Sequence, residues 1–425
     1  MKTIILGAGA SYGFFSPNLT TDLITDAVRS YDNWAKVISR YNNLKSLGYD
    51  IVDAKTVTDI INRIPPQLDM NFEKIAEVID KISSYGYDKS PKNNLFNLTL
   101  SLLIPDILKK THFDHKWLPV PFLFRQIIAE TILNHENNNK SHTYRKLICK
   151  QQEFFKWICK HDENVSIVSL NYDDCVYMSL KGLEFNLCFN NTAKGNGHQL
   201  DVNSFMSSNR VVYFPHGHIK FCYHDNRNAS FCLDSNLAHK KRWEMVSHLG
   251  QSGSALFCTR GKFAYNFNTF ITTGQTKDDS LNNQPYSVYY ERLAIDIAKS
   301  DTIYLIGYSF GDDHFNRLLN SFLKISQENK VVVIDFYDLT KKIDLIAHFT
   351  KSEDDIIKKM CDVLDCDTSY HGVEIDKVVP DNQHEIDKLN DPSIGFGYIF
   401  DQVIYYRKGY ESFLNEYNQV ALSLR

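Results

Sequence analysis

The sequence predicts an α/β fold built on a parallel sheet, with a large helical insertion after the first strand and a C-terminal appendage. Two observations carry that prediction. Short apolar runs rich in β-branched residues recur along the chain as TIIL, VSIVSL, RVVYF, DTIYLI and VVVIDF, and three of them end in polar or glycine residues. Inner strands of a parallel sheet look this way, because both faces are covered and function gathers at the loops that follow. Between the first and second runs lie about 150 residues of mainly helical pattern, too long for a simple connection.

The first strand starts near Thr3 and stops at Gly7. An insertion over about 20–162 follows. Within it NFEKIAEVIDKI repeats apolar positions at Phe72, Ile75, Ile79 and Ile82, and a second stripe through Tyr144, Leu147, Ile148, Phe155 and Ile158 runs to His161. Such stripes read as core. The polar stretches 190–209 and 225–283, rich in Asn, Gly and Ser, read as long loops or small insertions. A helix over Asp313 to Ile325 supplies the crossover between DTIYLI and VVVIDF. The nucleotide domain is therefore expected over 1–336. Residues 337–425 read as a mainly helical C-terminal region for assembly or regulation, containing SIGFGYIFDQVIYY and a last helix from about Glu411 to Leu424.

Composition narrows the functional classes. With a formal net charge of −4 and 23% charged residues, the chain has no overall basic field, so neither direct nucleic-acid binding nor an anionic membrane is expected. The basic run Lys240, Lys241, Arg242 reads as a solvated face. The apolar runs fall far short of the roughly 20 residues of a membrane span. A strand that starts at Thr3 leaves no room for a signal peptide. Nine cysteines without a framework fit a reducing compartment, so a cytoplasmic location is expected.

Candidate chemistry lies at the strand ends. In GAGAS, spanning Gly7, Ala8, Gly9, Ala10 and Ser11, the glycines allow a tight turn and close approach of a phosphate to backbone N–H groups, helped by a following helix; an ordinary tight turn is the alternative. The third glycine of the dinucleotide fingerprint is replaced by Tyr12, with Gly13 one place late, and no acid-terminated βαβ unit follows, which argues against a hydride-transfer dehydrogenase. Asn171, Tyr172 and Asp173 follow SIVSL directly and either reach into the crevice above the sheet or form a solvated turn. His216 ends the next strand, as a proton carrier or as a structural residue. His216, His218, Cys222 and His224 invite a metal reading, but no ligand pattern completes it and no metal is expected. In IGYSFGDDHFN, Gly307 clears space and Ser309 offers a hydroxyl to a ribose or phosphate; the partner spacing of a hydrolase serine is missing.

GAGAS at the first strand, LNYDD at 170–174, PHGHI at 215–219 and IGYSFGDDHFN at 306–316 together resemble, in content, order and spacing, the sirtuin-like domain of bacterial anti-phage defence proteins. The resemblance spans about residues 1–336. It implies a Rossmann-like domain that takes NAD as substrate and cleaves the nicotinamide–ribose bond. Asn171 falls on the family's catalytic asparagine and His216 on its histidine. Gly7 to Ser11 fall on the phosphate loop, and Asp173, Gly307 and Ser309 on residues lining the NAD pocket. It further implies NAD depletion during abortive infection, a homo-oligomer, and a defence partner such as a HerA-type ATPase or another phage sensor. The chain departs from deacylating sirtuins in lacking a four-cysteine zinc module and an Asp-Phe-Arg stretch; it reads SPNLTTDLI at 16–24 instead. Hydrolysis by water, giving nicotinamide and ADP-ribose or its cyclic form, is then the simpler chemistry. A binding module for NAD or a signal nucleotide, and a deacylase, are the alternatives.

Overall fold

The computed structural model describes residues 1–44, 50–63, 71–87, 115–117, 119–139, 142–191, 198–224, 228–232, 234–248, 271–272, 284–335, 363, 396–400, 402–406 and 408–422. The first strand, β1 (Lys2–Leu6), has Ile4, Ile5 and Leu6 fully buried, as its uninterrupted apolar run requires. A single 3-10 turn, Ala8–Ser11, follows it. The first α-helix, α1 (Thr21–Arg29), starts where the Thr20 hydroxyl accepts a hydrogen bond from the Leu23 N–H, satisfying one of the donors that a helix start leaves unpaired. Then come α2 (Tyr31–Leu44), α3 (Ala54–Arg63), α4 (Phe72–Tyr87), α5 (Val120–Asn139) and α6 (His142–His161). Helix α5 is buried on all sides over its first half and lies at the centre of this helical layer, against α1, α2 and α4.

The sheet resumes with β2 (Val165–Ser169), every residue of it buried, and a short α7 (Cys175–Ser179). A small hairpin of β3 (Phe189–Asn191) and β4 (His198–Leu200) leads through α8 (Val202–Ser207) into β5 (Arg210–Tyr213). A second hairpin, β6 (Phe221–His224) with β7 (Asn228–Phe231), precedes α9 (Ser235–His248). The remaining elements are α10 (Tyr286–Lys299), β8 (Thr302–Ile306), α11 (Asp313–Ile325), β9 (Lys330–Ile334), β10 (Phe396–Phe400), β11 (Val403–Tyr406) and α12 (Tyr410–Leu422).

The main sheet has the order β10-β11-β9-β8-β1-β2-β5. Six of its strands are parallel, and β10 pairs antiparallel with β11 at one edge. The fold is therefore α/β and Rossmann-like. From β1 the chain moves outward to β2 and β5, then returns to β8 on the other side of β1 and continues to β9. This reversal makes the end of β1 the switch point, where open parallel sheets present their ligand crevice.

Three stretches gain detail. The stretch 190–209, expected as a long loop or a small insertion, holds β4 and α8, because Asp201 caps α8 by accepting from the Ser204 N–H and Phe205 anchors the helix in the core. In 225–283 the described residues form β7 and most of α9, anchored by the buried Phe231, Trp243 and Val246, while 225–227, 233, 249–270 and 273–283 lie outside the described residues. The third concerns the C-terminal end. Strand β11 pairs parallel with β9 from Val403↔Val331 to Tyr406↔Ile334, so the end of the chain completes the sheet. Helix α12 packs on α6, with Phe413 against Phe154 and Tyr417 against Phe154 and Trp157. Within the region expected to be mainly helical, the described part is thus two strands, one helix and the helical Val363; the rest of 336–395 lies outside the described residues.

Candidate active site

The loops after β1 and β8 touch through glycine. The Gly7 N–H donates to the Ile306 carbonyl at 2.8 Å, and the Gly9 N–H donates to the Gly307 carbonyl at 3.0 Å. A Cβ on Gly307 would meet the Ala10 backbone nitrogen at 2.4 Å, and one on Gly9 would meet the Gly307 Cα at 2.7 Å. Gly307 also holds φ +56, a left-handed conformation in which a side chain is strained. The glycines thus let two backbones meet, and the Gly7 and Gly9 N–H groups are taken up by this junction. The helix expected to support the loop is also missing: Ala8–Ser11 form one 3-10 turn, and α1 begins only at Thr21. Ala8 and Gly9 are exposed at the tip of the loop, while Ala10 and Ser11 turn back into the protein.

Beneath that tip Asn171, Ser11 and Asp173 form one buried network. The Asn171 side-chain amide donates to the Gly7 carbonyl at 2.8 Å and to the Ser11 hydroxyl at 2.9 Å. Ser11 donates in turn to the Asp173 carboxylate at 2.6 Å, and the second carboxylate oxygen of Asp173 accepts the Cys175 N–H at 3.0 Å. Both amide protons of Asn171 are therefore committed to the glycine loop, which fixes the amide orientation and leaves its carbonyl oxygen as the group open to a ligand. Burial raises the pKa of Asp173, against the hydrogen bonds from Ser11 and Cys175 that lower it. Only 3% exposed, Asp173 supports Ser11 from below.

His216 follows β5 and is held on two sides. Its Nε2 lies 2.8 Å from the Asp312 carboxylate, and its carbonyl accepts the Thr272 N–H at 2.8 Å. Asp312 is itself placed by α11, whose start it caps by accepting from the Phe315 N–H at 3.1 Å. The Thr272 contact is anchored from the helical layer: Arg125 Nε donates to the Ile271 carbonyl at 3.2 Å, and the Arg125 guanidinium forms a two-point pair with the buried Asp80 at 2.8 and 3.0 Å. Gly217, with φ +91, bridges to Ile271 next to this contact. Ser309 is exposed beyond the glycine junction.

Immediately behind lies a second polar cluster. Lys220 Nζ is 2.9 Å from Asp174 and donates to the Ser235 hydroxyl at 3.0 Å, and Ser235 donates to Asp174 at 2.9 Å. His218 Nδ1 accepts the Lys220 N–H, and its ring lies among Phe214, Phe221 and Phe231. Burial lowers the His218 pKa to about 4, overcoming the pull of Asp174. His216 and His218 therefore serve different surroundings and do not converge as the two ligands of an HxH metal motif would. The side chain of His224 lies outside the described residues. Among the described residues no three His, Cys, Asp or Glu side chains gather as a metal site.

The structure thus joins Gly7, Gly9 and Gly307 in one junction and Ser11, Asn171 and Asp173 in one network, with His216 at the same edge of the sheet because β1, β2 and β5 are parallel neighbours. Sequence reasoning missed Asp312, Asp80 and Arg125. Asp312 had a legible signal, as an N-cap acid in GDDHFN at a strand end; Asp80 and Arg125 sit on two helices far apart in sequence and had none. Neither any protein-family model nor any curated protein matches the chain.

Proposed function

We propose that the chain is an NAD glycohydrolase, cleaving the nicotinamide–ribose bond at the ends of β1, β2, β5 and β8. The observation that carries this reading is the His216–Asp312 pair set beside the Asn171–Ser11 network at the sheet's switch point. An acid–base group and a polar positioning group flanking one crevice suit a reaction with a good leaving group, in which orientation and proton transfer do most of the work. Nicotinamide is such a leaving group, since it departs from a cationic linkage.

In this reading the Asn171 carbonyl oxygen accepts a hydrogen bond from a ribose hydroxyl or from the attacking water. His216 donates its Nε2 proton to Asp312, which leaves Nδ1 to take up a proton from the same groups. Asp312 holds the ring and stabilises its charged form after transfer. Ala8 and Ser309, both exposed, line the rim where the phosphates and the second ribose would run. The products are nicotinamide and ADP-ribose, or the cyclic form where a group of the same molecule displaces water. The physiological setting that the motifs suggest is NAD depletion during phage infection, in a homo-oligomer or with a defence partner such as a HerA-type ATPase.

Nicotinamide release from NAD by the purified protein, with and without phage lysate, tests the reading. Asn171→Ala and His216→Ala should each lower release by at least about 100-fold while the protein stays folded. NAD binding with no release under any condition would instead favour a nucleotide sensor, and release that needs an acylated peptide would favour a deacylase.

A further inference from the structure

The β6–β7 hairpin carries two cysteines that the proposed reaction does not use. Cys222 lies in β6 and Cys232 directly after β7, their sulfurs are 3.1 Å apart, and both are buried. With Ala238 of α9 they form a small apolar cluster separate from the main core. A disulfide bond is about 2.05 Å long, so closing the pair requires an approach of about 1 Å. The register favours that movement over a larger one: Cys222 pairs with Ser230, Phe221 with Phe231, and the Cys232 N–H donates to the Lys220 carbonyl at 2.9 Å, which keeps the two strands together at the cysteines.

The two thiols are chemically unequal. Cys232 is held below the ordinary thiol value because it is hydrogen-bonded by Cys222, with Lys241, Arg242 and Lys220 adding positive charge nearby. Cys222 is pushed up by the same hydrogen bond and by burial. The two sulfurs share one proton across 3.1 Å, so one has thiolate character while the other keeps a proton and can resolve it; with Lys241, Arg242 and Lys220 nearby, Cys232 takes the nucleophile's part.

We propose that Cys222 and Cys232 form a modification site, a dithiol that a small peroxide converts to a disulfide. The Cys232 thiolate attacks a peroxide oxygen; an S–O bond forms, the O–O bond breaks, and hydroxide leaves to become water with the proton lost from Cys232. The Cys222 sulfur then attacks the Cys232 sulfenic acid, forming the S–S bond and releasing the second oxygen as water with the Cys222 proton. Two thiols are oxidised by two electrons and one peroxide is reduced to two waters. Burial of both sulfurs excludes the in-line approach of a bulky disulfide, so the oxidant must be small. The bond would lock the hairpin beside Lys220, whose ammonium group holds Asp174 and Ser235 behind the candidate active site. This site does not depend on the NAD reading.

The experiment is hydrogen peroxide titration of the full-length protein, followed by unfolding, alkylation of remaining thiols and non-reducing peptide mass mapping, with dimedone trapping in Cys222→Ser and Cys232→Ser. The expected result is a cross-linked species joining the Cys222 and Cys232 peptides, two hydrogens lighter than their sum and lost on reduction, while the exposed Cys149 shows no such link. A dimedone adduct on the remaining cysteine of the pair is expected in C222S or C232S alongside. Recovery of both cysteines as alkylated thiols in the wild type, or as unlinked sulfinic acids, overturns the proposal.

Discussion

His216 and His218 stand two residues apart in one segment and live in opposite environments. His216 meets the Asp312 carboxylate at the end of the sheet, the place where we propose that it exchanges a proton with NAD or water. His218 is fully buried among three phenylalanine rings, and its Nε2 stops 3.7 Å short of Asp174, beyond hydrogen-bond reach. The chain turns at Gly217, φ +91, between them, setting one ring against Asp312 and the other among the phenylalanines. The same pairing of roles repeats in LNYDD, where Asp173 supports the glycine loop and its neighbour Asp174 binds Lys220. Adjacent residues of one polar motif thus divide between two buried networks, and partners rather than residue type decide which is which.

The comparison can be broken first at its support. Asp80→Ala breaks the buried ion pair that holds the Arg125 guanidinium, and Arg125→Ala breaks it and removes the anchor of the Ile271 carbonyl as well. Either should cost about 3–5 kcal/mol in denaturant unfolding. Asp80→Asn, which keeps the shape, tests whether charge is needed; a loss below 1 kcal/mol in all three would refute the anchoring role.

A second test uses pH. The His218 pKa is about 4 in the folded protein against about 6.5 in an unfolded chain, so the unfolded state binds the proton first as pH falls. The stability that neutral His218 contributes is whole above pH 6.5 and is lost on acidification through pH 4, a swing of about 3 kcal/mol. His218→Gln should flatten that segment of the wild-type stability profile whatever its own baseline stability. An unchanged slope would place the acid sensitivity elsewhere.

The smallest expected effect separates the two jobs of Asp312. Asp312→Asn keeps a capping side chain for α11 but removes the negative charge beside His216, so nicotinamide release should fall with little change in stability. Asp312→Ala loses the cap too and should cost about 1 kcal/mol more in unfolding. Equal activity in the wild type and D312N would assign Asp312 to capping alone.

Much of this was legible in the chain. The strand runs were readable because buried parallel strands are locally continuous in apolar residues, and α11 was readable as the crossover between two of them. Asn171, Ser11 and Asp173 could be placed at strand ends before their mutual hydrogen bonds were known. The position of β10 and β11 was not legible, since nothing local in FGYIF or VIYY states which strand it pairs with. Nor was the use of the Gly7 and Gly9 N–H groups, because their acceptors on β8 lie some 300 residues away in the chain. The Arg125–Asp80 pair was hidden for the same reason, since two charged residues on separate helices gave no hint that they face each other.

The most direct test sets the two histidines side by side. Nicotinamide release from NAD is measured for the wild type, His216→Ala and His218→Gln under one activating condition, each variant first shown to be folded. The account predicts loss of release in H216A by at least about 100-fold and retention of most of it in H218Q. Release at the wild-type rate in H216A, or its loss in H218Q alone, would contradict the assignment of the active site.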